Sequence, residues 1–270
     1  MYVDNLVTGA DSTADALQMY ADSKRMFDSA SMNLREWLSS SAEFNKCIPE
    51  NDRRKSADTT VLGHGWNNET DVLYVHTLSI SDSQKGITKR SVLKVIASVY
   101  DPQGLFSAVL VKGKLLLQEI WKKKYGWDDV IGDDDIRKRW FVIKDDIAHL
   151  SKSAVQRCIG IEDNDEMVKY NLLCFCDASR SAYAATVYLH QFSKNKSRND
   201  LVFSKTRLAP VKEISVPRLE LMAVVIGAEC LKFVERQYKL SIENLYLWTD
   251  SSCVIGWLKT TKQLPVFCEK

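Results

Sequence analysis

Hydrophobic positions recur along this chain with two periods, and the period changes near residue 166. In the first part the spacing is mostly helical. Ser12, with Asp15 three residues on, reads as a capping pair. Ala16, Met19, Tyr20, Met26, Phe27 and Ala30 then follow at helix spacing. Two short strands are expected at Val61–Gly63 and Val72–Val75, with Gly65, Asn67 and Asn68 supplying the turn between them. A helix is expected from about Thr88, with Val92, Val95, Ile96 and Val99 as its apolar stripe. It should end at Asp101-Pro102 and Gly104, and two further helices are expected over about 105–125 and 134–150. Beyond 166 the period shortens. Tyr170–Cys176, Ala182–His190 and Leu201–Ser204 read as strands, with a polar loop over 193–200. Pro217 opens a long helix to about Tyr238, Asn244–Thr249 is a further strand, and a short helix follows from Ser251. The order β-β-β-α-β-α is that of an α/β fold with a mixed sheet.

Composition narrows the classes. The 270 residues are 45% apolar and 27% charged, with a net charge of +2, which excludes dominant disorder and a global polycation. The seven cysteines form no CxxC, and no Cys/His pair has zinc-ligand spacing. The close pair, Cys174 and Cys176, faces one side of an extended strand. A reduced intracellular protein, cytoplasmic or nuclear and not secreted, is expected. The opening residues lack the pattern of a signal peptide, and no apolar run is long enough for a membrane span. Charge is segregated along the chain. Residues 84–124 carry nine Lys or Arg against Asp101 and Glu119, and an acidic run from Asp128 to Asp135 follows.

Three acids occupy informative positions: Asp177 at the end of the first strand of the second part, Glu220 one turn into its long helix, and Asp250 at the end of its last strand. Carboxylates converging from strand ends and a helix bind hard divalent cations, which take oxygen ligands. Two such ions activate a water against a phosphodiester. Each acid alone has a plainer reading, as a turn former, a helix cap or a dipole-compensating group. Ser179 and Ser251, next to two of them, read as turn formers or as groups orienting Asp177 and Asp250.

The segments CFCDAS, FSKTRLAP, ISVPRLELMA and LYLWTDSSCVIGWL resemble the ribonuclease H domain of retroelement polymerases, in particular of BEL/Pao-class LTR retrotransposons. Upstream, LREW, VLGHGW and KRSVLKVIASVYDPQGL resemble the BEL/Pao region between the polymerase palm and ribonuclease H. Met1-Tyr2-Val3-Asp4-Asn5 is similar to the palm hairpin. The resemblance implies a division into residues 1–82 (end of the reverse transcriptase palm), 83–165 (a helical, basic thumb or connection) and 166–270 (a ribonuclease H-like domain short of its C-terminal elements). It implies that Asp177, Glu220 and Asp250 hold two Mg²⁺ ions, with Mn²⁺ able to substitute. The partners it implies are an RNA–DNA hybrid or primer–template duplex and the remaining segments of a Pol polyprotein, with no membrane. Lys89, Arg90, Lys94, Lys112 and Lys114 are the candidates for phosphate contact, and a solvated helix face is the plainer reading of the same residues. Trp121, Trp127 and Trp140 are expected in the core.

The sequence departs from the family pattern in two respects. The palm hairpin expects two adjacent aspartates, and Asn5 replaces the second, which removes a metal-binding charge. The fourth ribonuclease H carboxylate is expected on a late helix, beyond Lys270. A nuclease fragment and an inert, nucleic-acid-binding remnant are therefore both open, and polymerase activity is not expected. The region is also catalogued as a Pao "peptidase", but no Asp-Thr-Gly or Asp-Ser-Gly loop is present, and the four histidines have no companion nucleophile motif. Peptidase activity is not expected.

Overall fold

The computed structural model describes residues 6–56, 58–77, 86–161 and 167–260. Asp4 and Asn5 lie outside them. The chain forms two compact units, the first of residues 1–74 and 154–158, the second of residues 75–153 and 159–270.

In the first unit, Ser12 caps α1 (Thr13–Ser29) by accepting from the Asp15 amide, and Ser41 caps α2 (Ala42–Cys47). Tyr20 donates to Asp52 at 2.7 Å and packs edge-on against Trp37 and Phe44. An antiparallel sheet follows in the order β1 (Asp58–Val61), β2 (His64–Asn67), β3 (Val72–Tyr74) and β4 (Ala154–Gln156). The expected turn residues divide. Asn68 lies in the turn between β2 and β3, where Asn67 Oδ1 accepts the Glu69 and Thr70 amides. The tight turn before β2 is at Leu62-Gly63, whereas Gly65 is a strand residue opposite Tyr74. Any side chain there would run into the Tyr74 ring, because a Cβ at Gly65 falls 2.1 Å from it. Arg157 ties β4 in place through a two-pronged bond to Asp71, which also accepts from the Trp66 indole.

In the second unit Thr88 and Ser91 form a reciprocal cap on α3 (Lys89–Ser98). α4 (Ser107–Lys122) and α5 (Asp134–His149) follow, near the expected bounds. Val92, Val95, Ile96, Leu116, Ile120, Ile136, Trp140 and Ile147 form one buried cluster among these helices, so Trp140 is core as expected. The remainder is a four-stranded sheet ordered β7 (Ser197–Leu208), β6 (Ala182–Phe192), β5 (Lys169–Ala178), β8 (Ile242–Trp248). The first three strands pair antiparallel, and β8 runs parallel to β5. β7 begins earlier than its apolar residues indicate. Arg198 pairs with Asp200, which also accepts from the buried Gln191 of β6, so a polar cross-strand set holds a segment that reads as loop. One face of the sheet is covered by α6 (Val216–Gln237), which has Pro217 in its first turn. Leu172, Cys174 and Cys176 of β5 alternate into that interface, and the two thiols lie 3.7 Å apart against Gly227. α7 (Ser252–Lys259) ends the described chain.

The Asp101–Gly104 turn fixes the helices to this sheet. Both Asp101 carboxylate oxygens accept amides at the start of α4, from Leu105 and Phe106, each at 2.9 Å. The Gln103 carbonyl accepts the Ser204 amide of β7 at 2.8 Å, and the Ser107 and Ser204 hydroxyls meet at 2.9 Å. Gly104 has φ +74°, and a Cβ there would fall 1.9 Å from the Ser204 carbonyl oxygen. Only glycine accepts both the backbone angle and the approach. Gly104→Ala is expected to cost on the order of 3 kcal/mol in urea unfolding. Gly132→Ala, with open space around the site, is expected to stay within about 0.5 kcal/mol.

Candidate active site

β5 and β8 are parallel neighbours in a register that pairs Phe175 with Trp248. The two rings stack on the exposed face of the sheet, 6.4 Å between centroids and 14° between planes. Two residues beyond each lie Asp177, the penultimate residue of β5, and Asp250, just past the end of β8. Both are exposed and stand at the same end of the sheet. Parallel strands carry their chain directions together, so acids placed equally far past one paired position reach the same end.

Glu220 comes to this corner from α6. Its neighbour Leu219 is fully buried in the core, which anchors the first turn of the helix, and Glu220 itself is half-buried. The Ser251 hydroxyl donates to Glu220 Oε2 at 2.5 Å and accepts the Val254 amide at 3.2 Å, as the N-cap of α7. Ser251 is itself buried. It therefore joins the residue after Asp250 to the carboxylate of α6. Ser179 is a turn former. Its hydroxyl accepts the amides of Ser181 and Ala182 between β5 and β6.

The donor set is all oxygen and all carboxylate, the chemistry that a hard divalent cation requires. The side chains do not yet converge. Asp177 Oδ1 accepts the Ala178 amide at 2.7 Å, and one oxygen of Glu220 is bonded to Ser251. Among the described residues no three His, Cys, Asp or Glu side chains stand close enough to hold a metal ion.

The basic tract presents a different picture from its sequence. Lys89 is 3% exposed, so phosphate contact by this residue, expected from its place in the tract, is corrected. Its ammonium donates to the Tyr125 carbonyl at 2.5 Å and lies 3.9 Å from the Trp121 ring centre and 5.0 Å from that of Trp127. A buried ammonium needs such compensation, and the two indoles give it through their π faces. Trp121 and Trp127 are accordingly half-exposed walls of a lysine cage and not core. Arg90 is held by a two-pronged bond to Asp128, and Lys112 by Asp146. Lys123 is paired with Asp133. The acidic run thus neutralises part of the basic tract, Asp128 taking Arg90 and Asp133 taking Lys123. Lys94 and Lys114 are exposed, and among the described residues no ion pair engages either.

Sequence comparison decides the family. A profile of the Pao retrotransposon-like RNaseH-like domain matches residues 88–251, which include all three acids. The chain belongs to that family. No curated protein sequence matches it. Among solved structures it is similar to a foamy viral protease-reverse transcriptase in complex with dsDNA, at 12% identity and a TM-score of 0.34, covering 77% of this chain and 40% of that one. The same foamy viral protein in complex with an RNA/DNA hybrid matches at 13% identity and a TM-score of 0.34, over 75% of this chain and 25% of that one. The chain thus spans less than half the length of these matched structures. The matched Pao segment opens at Thr88, the cap of α3, and closes at Ser251, the cap of α7, so it contains the helices, the Asp101–Gly104 turn and the sheet. Among the described residues no helix is long and apolar enough to cross a membrane.

The cage makes Lys89 a structural residue. Lys89→Ala is expected to lower the stability of the chain by about 2–3 kcal/mol, measured by denaturant unfolding. Lys94→Ala is expected to change it by less than about 0.5 kcal/mol.

Proposed function

We propose that this chain is a metal-dependent ribonuclease H-like unit of a retroelement polymerase that hydrolyses the RNA strand of an RNA–DNA hybrid. The observation that carries the reading is the parallel register of β5 and β8, which sets Asp177 and Asp250 at one end of the sheet beside the Ser251–Glu220 bond. Asp177, Glu220 and Asp250 would hold two Mg²⁺ ions, or Mn²⁺ in their place. The chemistry such ions supply when bound is activation of a water nucleophile and stabilisation of the leaving oxygen of the phosphodiester. The residues of the chain do the positioning. β5 carries Asp177 on a paired backbone, β8 delivers Asp250 two residues past its last pair, and α6 carries the third carboxylate, bonded to Ser251. For duplex contact, Lys94 and Lys114 remain exposed and unengaged by ion pairs among the described residues, which suits phosphate contact by both. Remaining Pol segments are expected as partners.

A second reading follows from the side-chain geometry. With Asp177 bonded to the Ala178 amide and no converged triad among the described residues, the chain would bind nucleic acid and cut nothing.

Incubation of the purified chain with a labelled RNA–DNA hybrid separates the two. The nuclease reading predicts RNA cleavage that requires Mg²⁺ or Mn²⁺ and falls at least about 100-fold in Asp177→Asn. It also predicts salt-sensitive binding, with a log–log salt slope shallower by up to about 2 in the Lys94→Ala, Lys114→Ala double variant. Binding without cleavage, unchanged in Asp177→Asn, would establish the remnant reading.

A further inference from the structure

Ser251 follows one of the proposed ligands in sequence, yet its hydroxyl is spent on another. It is buried, with 6% of its surface exposed, between α6 and α7. Its proton goes to Glu220 Oε2 at 2.5 Å, and its oxygen accepts the Val254 amide at 3.2 Å. Its own amide donates to the Thr249 hydroxyl at 3.3 Å. A cap for α7 needs only an oxygen that accepts, and the donated proton is surplus to that role. The side chain that takes it is a half-buried carboxylate on a long, freely rotating arm, set in an apolar stretch with Leu219 and Leu221. Without the bond, Glu220 has several staggered orientations to choose from.

We propose that Ser251 is a positioning residue for the metal site. It holds one oxygen of Glu220 and so limits the orientations of that carboxylate next to the residue that follows Asp250. This rests on the metal-dependent reading above and adds to it that the orientation of the α6 ligand is set by the loop after β8. The coupling also runs in reverse: a shift of α7 moves Ser251 and with it Glu220. A ligand carboxylate that is itself hydrogen-bonded is held ready for the ion, and loss of such a supporting bond typically weakens metal affinity or activity 10–100-fold.

The test separates the cap from the bond. Glycine is a serviceable N-cap but has no hydroxyl, whereas threonine keeps both functions. Mn²⁺ binding by the full chain is read as the loss of free-ion signal in electron paramagnetic resonance, with circular dichroism to follow the fold. Ser251→Gly is expected to weaken Mn²⁺ binding by about 10–100-fold with helix content unchanged, and Ser251→Thr to restore it to within about threefold. In a Glu220→Gln background, Ser251→Gly is expected to change binding no further, because the serine acts through that carboxylate. This double comparison stands even if the glycine variant is less stable, since a folding defect would add to Glu220→Gln. Mn²⁺ binding by Ser251→Gly equal to wild type, or a further loss in the Glu220→Gln background, would overturn the positioning role and leave the nuclease reading intact. A wild-type chain that takes up no Mn²⁺ would overturn both.

Discussion

The parallel pairing of β5 with β8 is the constraint on which the rest of this molecule depends. These strands are separated by two antiparallel strands and the 22 residues of α6, and only their pairing brings Asp177 and Asp250 to one end of the sheet. Parallel pairing needs a crossover that packs back on the sheet, and α6 supplies it. The face of α6 that makes the crossover possible, with Leu219, Ala223, Ile226 and Cys230 in the core, also fixes where Glu220 emerges. Fold and site are thus one construction. The stacked Phe175 and Trp248 rings strengthen the register at its last described pair, two residues before each acid.

A second dependence runs from the helices to the sheet. The Asp101–Gly104 turn both caps α4 and offers a carbonyl to the edge of β7, so the helical part and the sheet form one compact unit. This gives a physical account of the SVYDPQGL segment. Asp101 is there for its two acceptor oxygens, and Gly104 for a backbone angle and an approach that no side chain allows. The Lys89 cage and the Arg90–Asp128 pair close the other end of the helical part, tying the start of α3 to the segment after α4. Charges that look like a nucleic-acid tract in sequence are in good part the glue of this packing.

What was legible in the sequence was local. Ser12, Thr88 and Pro217 announce their helices because a cap or a fixed φ acts within a few residues. The alternation of Leu172, Cys174 and Cys176 announces a strand with one buried face. The three acids were legible through position and family resemblance, since each ends or opens a recognisable element. Long-range needs were not legible. Gly65 reads as a turn residue until Tyr74 is seen across from it. The polar start of β7 reads as loop until Gln191 and Asp200 meet. Lys89 reads as a surface charge because its indole cage comes from residues more than thirty positions away. Ser251 reads as a partner of its neighbour Asp250, and its hydroxyl goes instead to Glu220, thirty-one residues before it.

We propose that Asp177, Glu220 and Asp250 act as one metal site although they come from three elements. The most direct measurement is nuclear magnetic resonance of the isotope-labelled chain titrated with substoichiometric Mn²⁺, whose unpaired electrons broaden nearby amide signals. A single shared metal site makes Ala178, Leu221 and Ser251 broaden first and together. First broadening along the acidic run from Asp128 to Asp135, with those three amides untouched, would contradict it.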